Sequence, residues 1–278
     1  TIRVLERSLT VDVLKVVAAQ FIVWHHFSAY GPMADTMNLM WPHLMEWLYR
    51  YARLAVQVFL VVGGYLAGQS VMHKPIHHPF VSIAKRYLRL APFYVLALAL
   101  ITVAVGISRE AIHADWLPSE PSAGQIMAHA LLAHDLLGFE ALSSGAWYVA
   151  IDFQLYAILI LLCHTLHTEK RRHVSMAVAV LCITSMWLIN RIDELEIYAP
   201  YFFGAYGLGW LAWRTRQSRI PPKGWAGLLA LGLLALWVDP RLRIMTAWAV
   251  AMLLAAAPQA WLVPQQVHGW GRRAISRL

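Results

Sequence analysis

The feature that most limits what this chain can fold into is a succession of eight apolar stretches, each close to the ~20 residues a helix needs to cross a bilayer. They run approximately over 10–30, 51–71, 88–108, 146–166, 174–190, 198–213, 225–239 and 244–262. Hydrophobic residues make up 59% of the chain and charged ones only 14%, a balance too apolar for an ordinary soluble domain. The pattern predicts an all-α fold, a polytopic transmembrane helix bundle of about eight spans. A further stretch, 125–138, is apolar on one side alone and reads as an interfacial or re-entrant helix. No internal repeat, low-complexity tract or soluble segment interrupts the series, so residues 1–278 read as a single transmembrane domain.

The formal charge of +8 would suit nucleic acid if the basic residues shared one polar face. They fall instead in short clusters between apolar runs, where Lys and Arg set topology, and no nucleic-acid partner is expected. Arg3 and Arg7, then Lys74, Lys85, Arg86 and Arg89, then Lys170 to Arg172, Arg214 to Lys223, and Arg272, Arg273 and Arg277 alternate with loops rich in acid, such as those holding Asp35, Glu46, Glu120 and Glu196. This alternation predicts that both termini lie on the cytoplasmic side. The first apolar run holds Asp12, Lys15 and a His pair and lacks a small-residue cleavage site, so it is read as a retained span. Cys163 and Cys182 both lie inside apolar runs and are expected as packed thiols.

Ionisable groups inside such helices are expensive in lipid and point to function. Lys15 and His26 bracket the run LysValValAlaAlaGlnPheIleValTrpHisHis. With a rise of about 1.5 Å per residue, His26 lies roughly 24 Å along a helix starting at Thr10, in the outer half, and Lys15 near the cytoplasmic end. Asp152, a turn or two into the inward-running fourth span, comes to a similar depth. A carboxylate there could accept from one imidazole nitrogen of His26 and raise the basicity of the other. A structural polar pair is the competing reading. His25 points about 100° away and reads as an interhelical donor.

Arg86 and Arg89, three apart, share one helix face at the cytoplasmic mouth of the third span. Their two guanidinium forks suit a phosphate-bearing ligand, and equally suit snorkelling to lipid phosphates. His73, His77 and His78 nearby lack the carboxylate or thiolate partners of a metal site, so no metal is expected. Gly63, Gly64 and Gly68 in the second span permit close approach of a helix or a ligand. TrpTyrValAlaIleAspPheGlnLeuTyr opens the fourth span and places Asp152 and Tyr156 on one face, with Gln154 on another.

In combination these residues resemble the acyltransferase-3 family of integral membrane acyltransferases. The family's basic residue, ten residues and a histidine look like Lys15 and His26, with Lys for the commoner Arg. Its arginine pair looks like Arg86 and Arg89. Its Phe-Phe-x-x-Ser-Gly-Phe pattern is similar to Phe59 to Tyr65, with Gly63 for Ser, and its Trp-x-x-x-x-Glu-x-Gln-x-Tyr pattern to Trp147, Asp152, Gln154 and Tyr156, with Asp for Glu. Members carry about ten spans, and this chain ends at ArgAlaIleSerArgLeu where a further stretch is expected, which reads as C-terminal truncation or a naturally short member.

The resemblance implies acyl transfer from cytosolic acyl-coenzyme A, with acetyl the expected group, to a hydroxyl of an envelope glycan or glycolipid, in a bacterial inner membrane. No permanently bound cofactor is expected. His26 is the implied base or acyl carrier and Asp152 its orienting partner. Arg86, Arg89 and Lys15 serve the donor, while Trp147, Gln154, Tyr156 and Gly64 line the substrate pocket. Rival expectations are a proton-coupled transporter or flippase relaying through Lys15, His26 and Asp152, and a non-catalytic membrane subunit of an envelope-polysaccharide assembly. A membrane-protein partner or a homo-oligomer is compatible with each.

Overall fold

The structure, a computed structural model, describes residues 9–71, 76–111, 119–166, 171–217 and 221–257. Regular structure among them is helical: α1 (Leu9–Ala29), α2 (Gly31–Met40), α3 (Pro42–Tyr51), α4 (Ala55–Val71), α5 (Pro79–Ala111), α6 (Ala123–Ala130), α7 (Ala146–Thr165), α8 (Arg171–Trp187), α9 (Ala199–Arg216), α10 (Pro221–Val238) and α11 (Leu242–Ala256). Of the residues invoked above, Arg3, Arg7, His73, Lys74, Lys170, Arg219, Arg272, Arg273, Arg277 and the C-terminal ArgAlaIleSerArgLeu lie outside the described residues.

Over its described residues, each of the eight apolar stretches coincides with helix. Four described helical runs are long and apolar enough to cross a membrane, namely Pro42–Val71, Pro79–Ala111, Ala146–Thr165 and His173–Arg191. α10 and α11 are apolar but shorter, and α1 carries Asp12, Lys15 and two histidines in its 21 residues. Two features go beyond the apolar pattern. The region 31–51 forms α2 and α3, each with a proline in its first turn, where the missing N–H leaves no intrahelical bond unmade. α5 begins at Pro79, well before the apolar run, because its first turns carry Ser82, Lys85 and Arg86 in helical geometry.

The chain divides into two compact units, residues 1–69 with 205–278, and residues 70–204. In the first, α1, α2 and α3 pack on one another and α10 packs on α11. α4 meets α9 backbone to backbone: a Cβ on Gly64 would fall on the Tyr206 carbonyl, and one on Gly209 on the Val61 carbonyl. Arg216 donates to the carbonyls of Leu254, Ala255 and Ala257 at the end of α11, where a cation offsets the helix dipole.

The second unit is built on α5 against α7. Arg86 meets Asp152 near one end of the pair, and Tyr94 and Leu98 cluster with Ala146 and Ala150 further along, so the two helices run antiparallel. On α8, Ser185 accepts from the Gly204 N–H at 2.9 Å and donates to the Tyr201 carbonyl at 3.0 Å. These bonds close the backbone groups of the turn entering α9. Cys163 and Cys182 are buried free thiols, as their apolar surroundings predict.

Candidate functional site

Asp152 is 6% exposed and accepts from Arg86 Nη2 through Oδ2 at 2.5 Å. The guanidinium also lies over the Tyr156 ring, 5.3 Å from its centroid, a cation–π geometry that a desolvated setting strengthens. Asp152 and Tyr156, one turn apart on α7, thus present a carboxylate and an aromatic face to the same cation. The pairing balances two charges that would each be costly alone in the interior.

The sequence reading gave Asp152 to His26 and Arg86 to a phosphate. In the structure the Asp152 carboxylate and the Arg86 guanidinium take each other, within the second unit, whereas His26 and Lys15 belong to the first. Arg89, three residues along α5, is exposed. On α1, Lys15 is exposed and His26 half-buried, its ring 5.9 Å from Tyr30 and 5.5 Å from His25. The His25 ring lies 5.6 Å from that of Tyr49 on α3. Trp147 packs against Phe202 at 5.4 Å. The face of Gly64 is filled by the α9 backbone, so its bare Cα serves helix packing.

Gln154 points to the segment that follows α6, donating from Nε2 to the Leu132 carbonyl at 3.1 Å. From α5, the Tyr87 hydroxyl donates to the Ala130 carbonyl at 2.7 Å. Tyr87 is the ninth residue of α5 and Gln154 the ninth of α7, so the expected interfacial or re-entrant stretch takes the form of a short helix and turn docked between them. Ser122 caps α6 by accepting from the Gln125 N–H at 3.1 Å, and the Gln125 side chain donates to the Glu140 carbonyl at 2.8 Å, tying the two ends of the hairpin.

The turn closes twice in the same way. Leu132 N–H bonds the His129 carbonyl and Ala133 N–H the Ala128 carbonyl, a helix-terminating pattern whose pivot residue sits in the left-handed region. Here that pivot is Leu132, at φ +56°, where a side chain costs about 1–2 kcal/mol. Burial of Leu132, 1% exposed in the cluster with Tyr94 and Leu98, offsets it. The second closure, Phe139 to His134 and Gly138 to Asp135, uses Gly138 at φ +72°, the residue that adopts it without strain.

This turn stacks two imidazoles, His129 and His134, at 4.1 Å and 13°. His129 Nδ1 donates to the Gln125 carbonyl at 2.8 Å and its Nε2 accepts from the Leu142 N–H at 3.0 Å, so the ring is held as the neutral Nδ1–H tautomer. His134 is fully buried, with Nε2 3.5 Å from Asp135 Oδ2. Burial pushes its pKa down, Asp135 opposes the shift, and His129 adds to it. Sequence reasoning named this stretch without its histidines. At five residues apart they fall on different faces of a regular helix, and only the break at Leu132 brings the rings together. Among the described residues, no three His, Cys, Asp or Glu side chains gather at metal-ligand spacing.

A chain whose described regular structure is helical, with membrane-length apolar helices and a buried carboxylate paired to a half-buried Arg, is an integral membrane protein of the kind that keeps polar side chains inside its bundle for function. The chain belongs to the acyltransferase-3 family: the family's acyltransferase-domain profile matches residues 9–276. Among curated proteins it is similar to the regulator of hypoxia-inducible factor 1 of Caenorhabditis elegans, 28% identical over 202 residues, a match covering 65% of this chain and 39% of the worm protein. No solved structure matches the chain significantly.

Proposed function

We propose that the protein transfers an acyl group, acetyl in the first instance, from cytosolic acyl-coenzyme A to a hydroxyl of a cell-envelope carbohydrate or glycolipid, in a bacterial inner membrane. The acceptor oxygen attacks the thioester carbonyl carbon while an imidazole nitrogen of His26 takes the hydroxyl proton. The carbon–sulfur bond then breaks, and the proton passes to the departing thiolate, leaving an ester and free coenzyme A. Asp152 contributes a carboxylate fixed through Oδ2 by Arg86. Lys15 and Arg89, both exposed cations, serve the anionic donor. Tyr156, Gln154 and Trp147 shape the wall of α7 that carries Asp152.

The observation that carries this reading is the family match over residues 9–276, which spans the His26 and Asp152 motifs. It is tested by transfer of labelled acetyl from acetyl-coenzyme A to envelope glycans in membranes. His26→Ala is expected to lower the rate by about 10²–10⁴-fold, the usual contribution of a positioned acid–base group. A wild-type rate in that variant overturns the assignment, and ping-pong kinetics would instead make His26 an acyl carrier.

A further inference from the structure

At the start of α5 the second unit carries an open pocket of about 310 Å³. Among the described residues its polar lining is Ser70, His77, His78, Ser82, Lys85 and the Tyr156 phenol, with no carboxylate among them. Val71 and Ile160 supply part of the apolar wall. The rim is held in place, since His164 Nδ1 donates to the Ile76 carbonyl at 2.8 Å and the Tyr156 hydroxyl bonds the Ser70 side chain. Convergent donors of this kind on a fixed frame suit a multiply charged oxyanion. The first turn of the 33-residue α5 adds the positive end of a helix dipole.

Two neighbouring cations on α5 differ in what occupies them. Arg86 has its charge balanced by Asp152 and its face on Tyr156. Lys85, next along the chain, has no acidic partner among the described residues and faces the cavity. Tyr156 is shared, lining the cavity and carrying Arg86 at 5.3 Å from its ring centroid. Through Tyr156 the cavity therefore neighbours the Arg86–Asp152 pair.

We propose that this cavity, rather than the Arg86 guanidinium, binds a phosphate monoester of the thioester donor, with Lys85 as the counter-charge and His77, His78 and Ser82 as hydrogen-bonding partners. The proposal rests on the acyl-coenzyme A reading and assigns the donor's 3′-phosphate to a site. Small-molecule sites occupy about 300–1,000 Å³, so 310 Å³ accommodates one end of such a donor, a phosphate with its sugar, and not the whole molecule. Arg86 becomes a positioning residue for Asp152. A lipid headgroup offers related phosphate chemistry from a different source, as a phosphodiester of lower charge.

The test uses the full chain in phosphatidylcholine nanodiscs, with coenzyme A and 3′-dephospho-coenzyme A as calorimetric probes. Wild type is expected to bind coenzyme A about tenfold or more tightly than the dephospho form, the range for a charge-assisted bond. Lys85→Met is expected to abolish that preference while leaving dephospho-coenzyme A affinity unchanged, and Lys85→Arg to retain it. A matching elution profile for all three proteins separates these effects from misfolding. Equal affinity for the two probes in wild type overturns the phosphate site and leaves the donor reading standing, whereas binding of neither probe overturns both. A preference that disappears when phosphatidylglycerol replaces phosphatidylcholine, and tracks Lys85, overturns the proposal in favour of a headgroup site.

Discussion

Two helix pairs in this molecule are joined by opposite means. α4 and α9 meet where Gly64 and Gly209 have no side chains, and each bare Cα receives the other helix's carbonyl. α5 and α7 meet through side chains: the Arg86–Asp152 pair, the Tyr87 hydroxyl and Gln154 reaching the turn between them, and an apolar cluster around Tyr94 and Leu98. The first contact rests on close backbone packing, which needs no polar group. The second keeps charges where desolvation is costly, and such groups in membrane helices are retained for function. The contrast separates scaffold from working surface.

The comparison breaks first at the ion pair. Arg86→Met leaves the Asp152 carboxylate buried and unbalanced, a loss of about 3–5 kcal/mol, read as a lower melting temperature together with loss of acyl transfer. Replacing both partners, Arg86→Met with Asp152→Leu, is expected to recover much of the stability and none of the activity. Recovery of both would make the pair purely structural. On the scaffold side, Gly64→Ala drives a methyl into the Tyr206 carbonyl and is expected to cost about 1–3 kcal/mol by overpacking, with acyl transfer falling only in proportion to folded protein. A specific loss of turnover at full folding would move Gly64 to the substrate pocket.

Smaller changes sharpen the contrast at the docked turn. Tyr87→Phe removes the donor to the Ala130 carbonyl and is expected to destabilise by about 1–2 kcal/mol, visible as faster amide exchange in 129–135 with little change elsewhere. The smallest effect is a pH slope at His134. Burial keeps this ring neutral in the folded state, while the unfolded chain protonates it near its ordinary value of 6.5. The unfolded state therefore binds more protons as pH falls below 6.5, and stability is lost with acidification until the folded ring also protonates. The slope cannot exceed about 1.36 kcal/mol per pH unit for one group. Melting curves between pH 7.5 and 5.5 are expected to fall more steeply for wild type than for His134→Asn, and parallel curves would remove His134 from the account.

Much of the scaffold was legible in the chain. Apolar run length located a helix at each of the eight stretches, and burial of both cysteines followed from their neighbours. Hydropathy missed what is helical without being apolar: α2, α3 and the first turns of α5 are polar or mixed, and their starts are marked only by Pro32, Pro42 and Pro79. The stacked histidines were invisible for a related reason. A regular helix separates His129 from His134, and nothing in the surrounding AlaLeuLeuAla signals that Leu132 turns left-handed.

For the candidate site, the sequence by itself determined the helical membrane class, the motif residues of the family and which of them share a face. Arg86 and Arg89 on one side of α5, and Asp152 and Tyr156 on one side of α7, follow from the helical repeat alone. Only the tertiary structure decided that Arg86 spends its charge on Asp152, a partner 66 residues away, and that Lys85 beside it faces an open cavity. Periodicity fixes a side chain's direction from its own helix axis, but what stands opposite is set by how helices pack. Because an unbalanced carboxylate at buried Asp152 costs several kcal/mol, Arg86 is committed to it, while the exposed Lys85 carries no such constraint and is left to meet a ligand.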